Sequence, residues 1–256
     1  MTNASAVGVT VEEHGGVRRI ELDRPEKKNA LTLAMYDALA DAIASAHDDG
    51  VGAILLRSSS DAFCSGNDIV DFLQHPPAGV DAPPFRFLFA LASTDVPIVA
   101  GVRGAAVGIG TTMLLHCDVV YAAPSARFRV PFIDLGLVPE AASSVLLART
   151  IGRSRAAAAF YLGETIGADE AAAHGLIARV VDDEALDEVA ASAAAAIAAK
   201  PREAARATKR LMTHDRETTL EAMRREGAVF AERLASDEAR SALRAFFEKP
   251  GRPPKA

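Results

Sequence analysis

Three features of the sequence predict an α/β fold: an alternating polar and apolar start, short β-branched runs separated by stretches at helical spacing, and an almost wholly helical pattern from Glu140 onward. Residues 7–13 and 17–22 alternate around Gly15-Gly16 and read as a hairpin. The polar loop Asp23-Arg24-Pro25-Glu26-Lys27-Lys28-Asn29 follows. Leu31, Met35, Leu39 and Ile43 then recur at helical spacing, with Asn29 as a candidate cap and Gly50 as the latest end. Residues 53–56 form a continuous apolar run, as in a strand covered on both faces. Strand, helix and strand in this order imply a right-handed crossover.

A loop of small residues, 62–68, leads into a short helix from Ile69. Residues 75–84 are crowded with proline and glycine, which breaks regular structure and predicts a mobile loop beside a pocket. Residues 85–92 read as helix, 97–102 as strand, 104–116 as a glycine-broken buried helix and 118–122 as another buried strand. The unit of strand, glycine loop and helix thus occurs twice. Beyond Glu140, helices are expected over 141–150, 154–161 and 168–174, a strand over 176–181, then helices to Glu248. The organisation expected is a core over residues 1–195 and a helical oligomerisation region over 196–256. Alanine gives the late helices propensity but little core volume. Phe230, Leu234, Leu243, Phe246 and Phe247 exceed what so small an annex could bury, which predicts a second copy of the chain against them.

Composition excludes several classes. The 256 residues carry 28 Lys plus Arg against 34 Asp plus Glu, a net charge of −6, so no global positive field gathers nucleic acid or an acidic membrane. Two cysteines, Cys64 and Cys117, suggest neither a disulfide framework nor a structural metal site, and a reducing cytoplasm is expected. No apolar run approaches the roughly 18 residues of a membrane span, and the N-terminus lacks the pattern of an export signal.

Nucleophile elbow, P-loop, zinc-protease and kinase signatures are absent, and the cluster Gly104-Ala-Ala-Val-Gly108-Ile-Gly110 lacks dinucleotide-binding spacing. Two small-residue loops, each after an apolar strand and each opening a helix, nevertheless leave backbone N–H groups able to point at one oxygen. Tight packing alone is the competing reading of such loops.

Phe63-Cys64-Ser65-Gly66-Asn67-Asp68, residues 102–110 and Cys117-Asp118-Val119-Val120-Tyr121 together resemble the enoyl-CoA hydratase/isomerase (crotonase) superfamily, a likeness running from about Val11 to Val181. The resemblance implies a spiral of ββα units with a helical C-terminal region, assembly into trimers or dimers of trimers, and an acyl-CoA thioester as substrate. Coenzyme A would be part of that substrate, and no separate cofactor or metal is implied. The thioester oxygen would rest on the main-chain N–H groups of Asn67 and Ile109, with Ser65, Gly66, Asp68, Ile69, Gly108 and Phe132 lining the substrate. Removing one such donor typically costs roughly 2.7–4 kcal/mol of transition-state stabilisation. Arg24, Lys27 and Lys28 match the family pattern for the nucleotide end, with Lys249, Arg252 and Lys255 as weaker candidates; a solvated surface is the plain reading of all six.

The two carboxylates that hydratases of the family use match Thr112 and Phe132 here, so that pair is missing. What remains is Glu140, in a stretch resembling the Δ3,Δ2-enoyl-CoA isomerases, where one carboxylate moves a proton from C2 to C4. The plain reading of Pro139-Glu140 is a helix opening, proline first and a carboxylate near the positive end of the dipole. The implied activity is 3-enoyl-CoA to 2-enoyl-CoA isomerisation in fatty-acid metabolism. Hydration, or lyase or hydrolase chemistry through Asp134 or Asp118, is the enzymatic alternative, and non-catalytic acyl-CoA binding is the other. Asp118 and Asp134 read first as turn or cap residues, His116 as a core histidine and Cys64 as a packing residue.

Overall fold

The computed structural model describes residues 7–75, 81–213 and 215–248. Strand β1 (Val9–His14) turns into β2 (Val17–Leu22), antiparallel with Val9 opposite Leu22. Helix α1 (Leu33–Ala44) carries the chain to β3 (Ala53–Ser58), which lies parallel beside β2, as the strand-helix-strand pattern requires. Short helices α2 (Ile69–Gln74) and α3 (Pro83–Ser93) precede β4 (Ile98–Val102), parallel to β3. Then come β5 (Ala105–Val107), α4 (Ile109–Thr112), β6 (Val119–Ala122) and β7 (Arg127–Arg129). The remainder is α5 (Ser143–Ile151), α6 (Arg153–Tyr161), β8 (Ile166–Gly167), α7 (Ala168–Ala173), β9 (Arg179–Val180) and helices α8 (Leu186–Ala198), α9 (Arg202–Met212), α10 (Arg216–Leu234) and α11 (Asp237–Glu248).

The large sheet has the order β1-β2-β3-β4-β6-β9, and all pairings after the first are parallel. Its faces divide by the two-residue strand period. Leu55 and Val99 pack against Ala190 and Ala194 of α8, while Ile54, Leu56 and Ala100 face the main core. A second sheet, β5-β7-β8, is prolonged by single bridges between Cys64 and Ala106 and between Leu31 and Asn67. Each turn of the chain therefore leaves the large sheet and deposits a short extended segment in the second, which is the spiral of ββα units the resemblance implies.

Four expectations are corrected. Residues 104–116 are not one helix: 105–107 form β5, whose partner Arg127–Arg129 offers a parallel ladder, and helix begins only at Ile109. The strand at 176–181 shrinks to Arg179–Val180. Asn29 does not cap α1; Thr32 does, through Met35 N–H. Asn29 is instead buried with φ +55°, its amide donating to Ser58 Oγ (2.7 Å) and Ala62 O (3.0 Å). Finally, Phe230 and Leu243 are buried within their own chain, because α10 and α11 fold back onto the core. The apolar argument for a second copy loses that premise, while the side chains of Phe246 and Phe247 lie outside the description. Residues 76–80 of the expected mobile loop, and Lys249, Arg252 and Lys255, also lie outside the described residues.

Candidate active site

The two small-residue loops converge. Leu31 N–H donates to Gly66 O and Asp68 N–H to Leu31 O, so the parallel bridge turns the Asn67 N–H away from Leu31. Gly108 N–H donates to Arg129 O, and Ile109 opens α4, where the first-turn N–H groups have no helical acceptor. Among the described residues neither Asn67 N–H nor Ile109 N–H has an internal acceptor, and both residues line the same cleft. Gly108 makes this turn with φ +55° and ψ −120°, a conformation closed to residues with a Cβ. Gly110 lets the two loops touch, since a Cβ there would meet Cys64 O at 2.4 Å.

Side chains fix the first loop. Asp68 caps α2 by accepting from Val70 N–H (3.1 Å) and Asp71 N–H (3.2 Å), and it accepts from Arg24 Nη1 at 2.8 Å. Burial pushes the Asp68 carboxyl up, but Arg24 and the α2 amides outweigh it and hold it below the usual range. The buried Tyr36 hydroxyl donates to Asn67 Oδ1. Ser65 is tied back to the Lys27 and Lys28 carbonyls.

The cleft encloses about 1250 Å³, with Phe72, Phe132, Leu135, Phe230 and Leu243 among its apolar walls. Ser65, Gly66, Ile69 and Gly108 line it too. Behind it lies a chamber of about 30 Å³, sharing Asn67, Phe72, Ile109 and Phe230 with the cleft. That is room for about two water-sized groups. Glu140 faces this chamber, with Tyr36, Phe85, Leu88 and Gly227 around it.

Glu140 is not in a helix. Helix α5 starts three residues later, and Ala141 and Ala142 both take left-handed conformations, φ +60° and +56°. The helix-opening reading of Pro139-Glu140 therefore fails on geometry. Glu140 is half-buried, and its Oε1 accepts from Thr112 Oγ1 at 2.5 Å. Burial pushes the carboxyl up to about 8, the Thr112 hydroxyl opposes this, and the Glu226 carboxylate adds to it. The place matching one missing hydratase carboxylate thus holds a hydroxyl bonded to Glu140. The other, Phe132, packs against Gly108 in the cleft wall.

The remaining candidates have other partners. Asp118 Oδ2 accepts from Ile98 N–H (2.7 Å) and Lys209 Nζ (2.8 Å), and Asp134 pairs with Arg129 at 2.9 Å. Burial pushes the Cys64 thiol up to about 12 and His116 down to about 4, leaving both neutral near pH 7. Arg24 is committed to Asp68 and Ala30 O; Lys27 and Lys28 are exposed without an ion pair among the described residues, and Lys28 borders the cleft. Three residues of the site escaped the sequence reading: Tyr36 in the chamber wall, and Arg127 and Arg129 in the cleft. For the arginines the signal was available, since Arg127-Phe128-Arg129 alternates as a strand with both cations on one face.

The fold recurs in solved structures. One is an enoyl-CoA hydratase/isomerase from Pseudoalteromonas atlantica T6c, at TM-score 0.91 and 41% identity over 95% of this chain and 98% of that one. Another is an enoyl-CoA hydratase from Mycobacterium avium subsp. paratuberculosis K-10, at TM-score 0.85 and 30% identity over 93% and 98%. Human enoyl-CoA delta isomerase 2 is 30% identical over 94% of this chain, which spans 63% of that protein's length. Residues 12–254 match the enoyl-CoA hydratase/isomerase family, and the chain belongs to that family.

Proposed function

We propose that the protein isomerises 3-enoyl-CoA thioesters to 2-enoyl-CoA thioesters. The observation that carries this reading is Glu140: one carboxyl without a cationic partner among the described residues, facing a chamber whose neck presents the Asn67 and Ile109 amides. With the thioester carbonyl on both amides, negative charge developing on its oxygen meets two fixed donors. Ionised Glu140 takes the proton from C2, and the electrons form a dienolate with its oxygen on the amides. Glu140 then returns the proton to C4, so the double bond moves and nothing is gained or lost. An acid held near 8 is a stronger base than an ordinary carboxylate, which suits removal of a weakly acidic C–H.

Hydration of a 2-enoyl thioester would need a second group to orient water, and Thr112 and Phe132 supply no second carboxylate. The deciding experiment offers purified protein 3-enoyl-CoA and 2-enoyl-CoA of the same chain length. Isomerisation in excess of hydration is expected. Faster hydration assigns the chain to the hydratases, and tight thioester binding without turnover of either assigns it to acyl-CoA binding.

A further inference from the structure

The chamber that Glu140 faces is small, and what bounds it decides how much acyl chain it can take. Asn67, Phe72, Ile109 and Phe230 line both chamber and cleft and so mark the neck. Pro84, Phe85, Leu88 and Gly227 line the chamber alone, which makes α3 and α10 its inner wall. The two helices meet there without a gap. A Cβ on Gly227 would stand 2.4 Å from Phe85 Cε1 and 2.9 Å from its Cζ, so the Phe85 ring lies directly on the α10 backbone. Glycine is a poor helix former, and its place inside the 19 residues of α10 is explained by the ring laid over it. The ring cannot retreat by moving its helix either. Pro83 and Pro84 fix the first turn of α3, while Phe87 and Leu91, 0% and 1% exposed, anchor it in the core, with the Phe87 ring 5.6 Å from that of Tyr36.

We propose that Phe85, seated on Gly227, is the specificity-determining residue of this site and restricts it to short acyl thioesters, of about four carbons. The inference rests on the isomerase reading, because that chemistry requires C2 and C4 both to lie beside Glu140, which lines the chamber and not the cleft. With the carbonyl on the neck amides, C2 to C4 must enter the chamber. Its volume of about 30 Å³ takes about two water-sized groups, so those carbons fill it. A longer chain meets the Phe85 ring, and its way back through the neck is taken by the thioester itself. The large cleft gives no relief, since it lies on the other side of the neck and is left to the coenzyme.

Saturated acyl-CoAs, which have no double bond to move, test this without turnover. Titration calorimetry would compare butanoyl-, hexanoyl- and octanoyl-CoA on wild type and F85A. In an open apolar pocket each added methylene tightens binding by about fourfold. Wild type should bind hexanoyl-CoA no tighter than butanoyl-CoA, whereas F85A should bind it about tenfold tighter. A tighter hexanoyl complex in wild type overturns the proposal, and so does an F85A series that matches wild type. If F85A does not fold, the smaller cut F85L decides by the same comparison, with a gain of about fourfold expected for hexanoyl-CoA. Failure of all three thioesters to bind overturns it together with the acyl-CoA reading. If the wild-type series stops at butanoyl-CoA while 3-enoyl thioesters are not isomerised, the function proposed above fails and the chain-length limit stands. Given turnover, F85A should raise kcat/KM for 3-hexenoyl-CoA relative to 3-butenoyl-CoA by about tenfold, a ratio that a merely structural role would not move; an unchanged ratio overturns the assignment.

Discussion

Asp118 and Glu140 are both half-buried carboxyl groups, and their neighbours could hardly differ more. Asp118 accepts from a backbone amide and from the ammonium of Lys209, whose side chain is 5% exposed. Glu140 has one hydroxyl and an apolar chamber, and no cation bonded to it among the described residues. A half-buried carboxylate with a buried cation of its own joins elements together: here it ties β4 and the start of β6 to α9. A buried carboxylate without one is held short of full ionisation, and that stored preference is what a base can use.

The comparison breaks first on activity. Glu140→Gln should keep the fold and lower isomerase turnover by about 10²–10⁴-fold, while Asp118→Asn should keep turnover per folded molecule; equal losses in both would erase the distinction. On stability the order reverses. Asp118→Asn leaves the Lys209 ammonium buried without its counter-charge, so denaturant unfolding should show a loss of about 3 kcal/mol. Glu140→Gln should gain stability relative to wild type as pH rises. The folded protein holds the Glu140 proton to about pH 8, whereas an unfolded carboxyl releases it near 4.5, so wild type loses stability between those values. The slope is at most about 1.4 kcal/mol per pH unit and vanishes above the folded value. Thermal melts from pH 5 to 9 would record the widening gap, and a constant gap would mean that Glu140 is not desolvated.

Two smaller effects sharpen the picture. Thr112→Val removes the bond that opposes the rise at Glu140, so the acid limb of the pH–rate profile should move upward, read from kcat/KM against pH. Replacing Lys27 and Lys28 together by Ala should raise KM by about threefold with kcat unchanged, since contacts to the nucleotide end form equally in ground and transition states. An unchanged KM returns both to the solvated surface.

Much of the fold was legible because it follows local rules. The hairpin of β1 and β2, the apolar runs of β3, β4 and β6 and the spacing of α1 announce themselves at periods of 2 and 3.6. Strands β5, β7 and β8 did not, being two or three residues long and existing only because each finds the others. Residues 104–116 show the same limit: a short apolar run suits helix or strand equally until a partner chooses. Asn29, an obvious cap by type, is taken instead by buried acceptors some thirty residues away. The amide loops could be placed from small residues before helices, whereas their meeting required Gly110 to lie against Cys64.

By itself the sequence determined the two small-residue loops, and its resemblance to a known family singled out positions 112 and 132 and Glu140 as the acid worth following, since residue type and motif order are properties of the chain alone. Only the tertiary structure decided what kind of acid it is. Charge state answers to burial and to close neighbours, and the residues gathered around Glu140, among them Tyr36, Thr112 and Phe230, come from as far as 104 residues away in the chain.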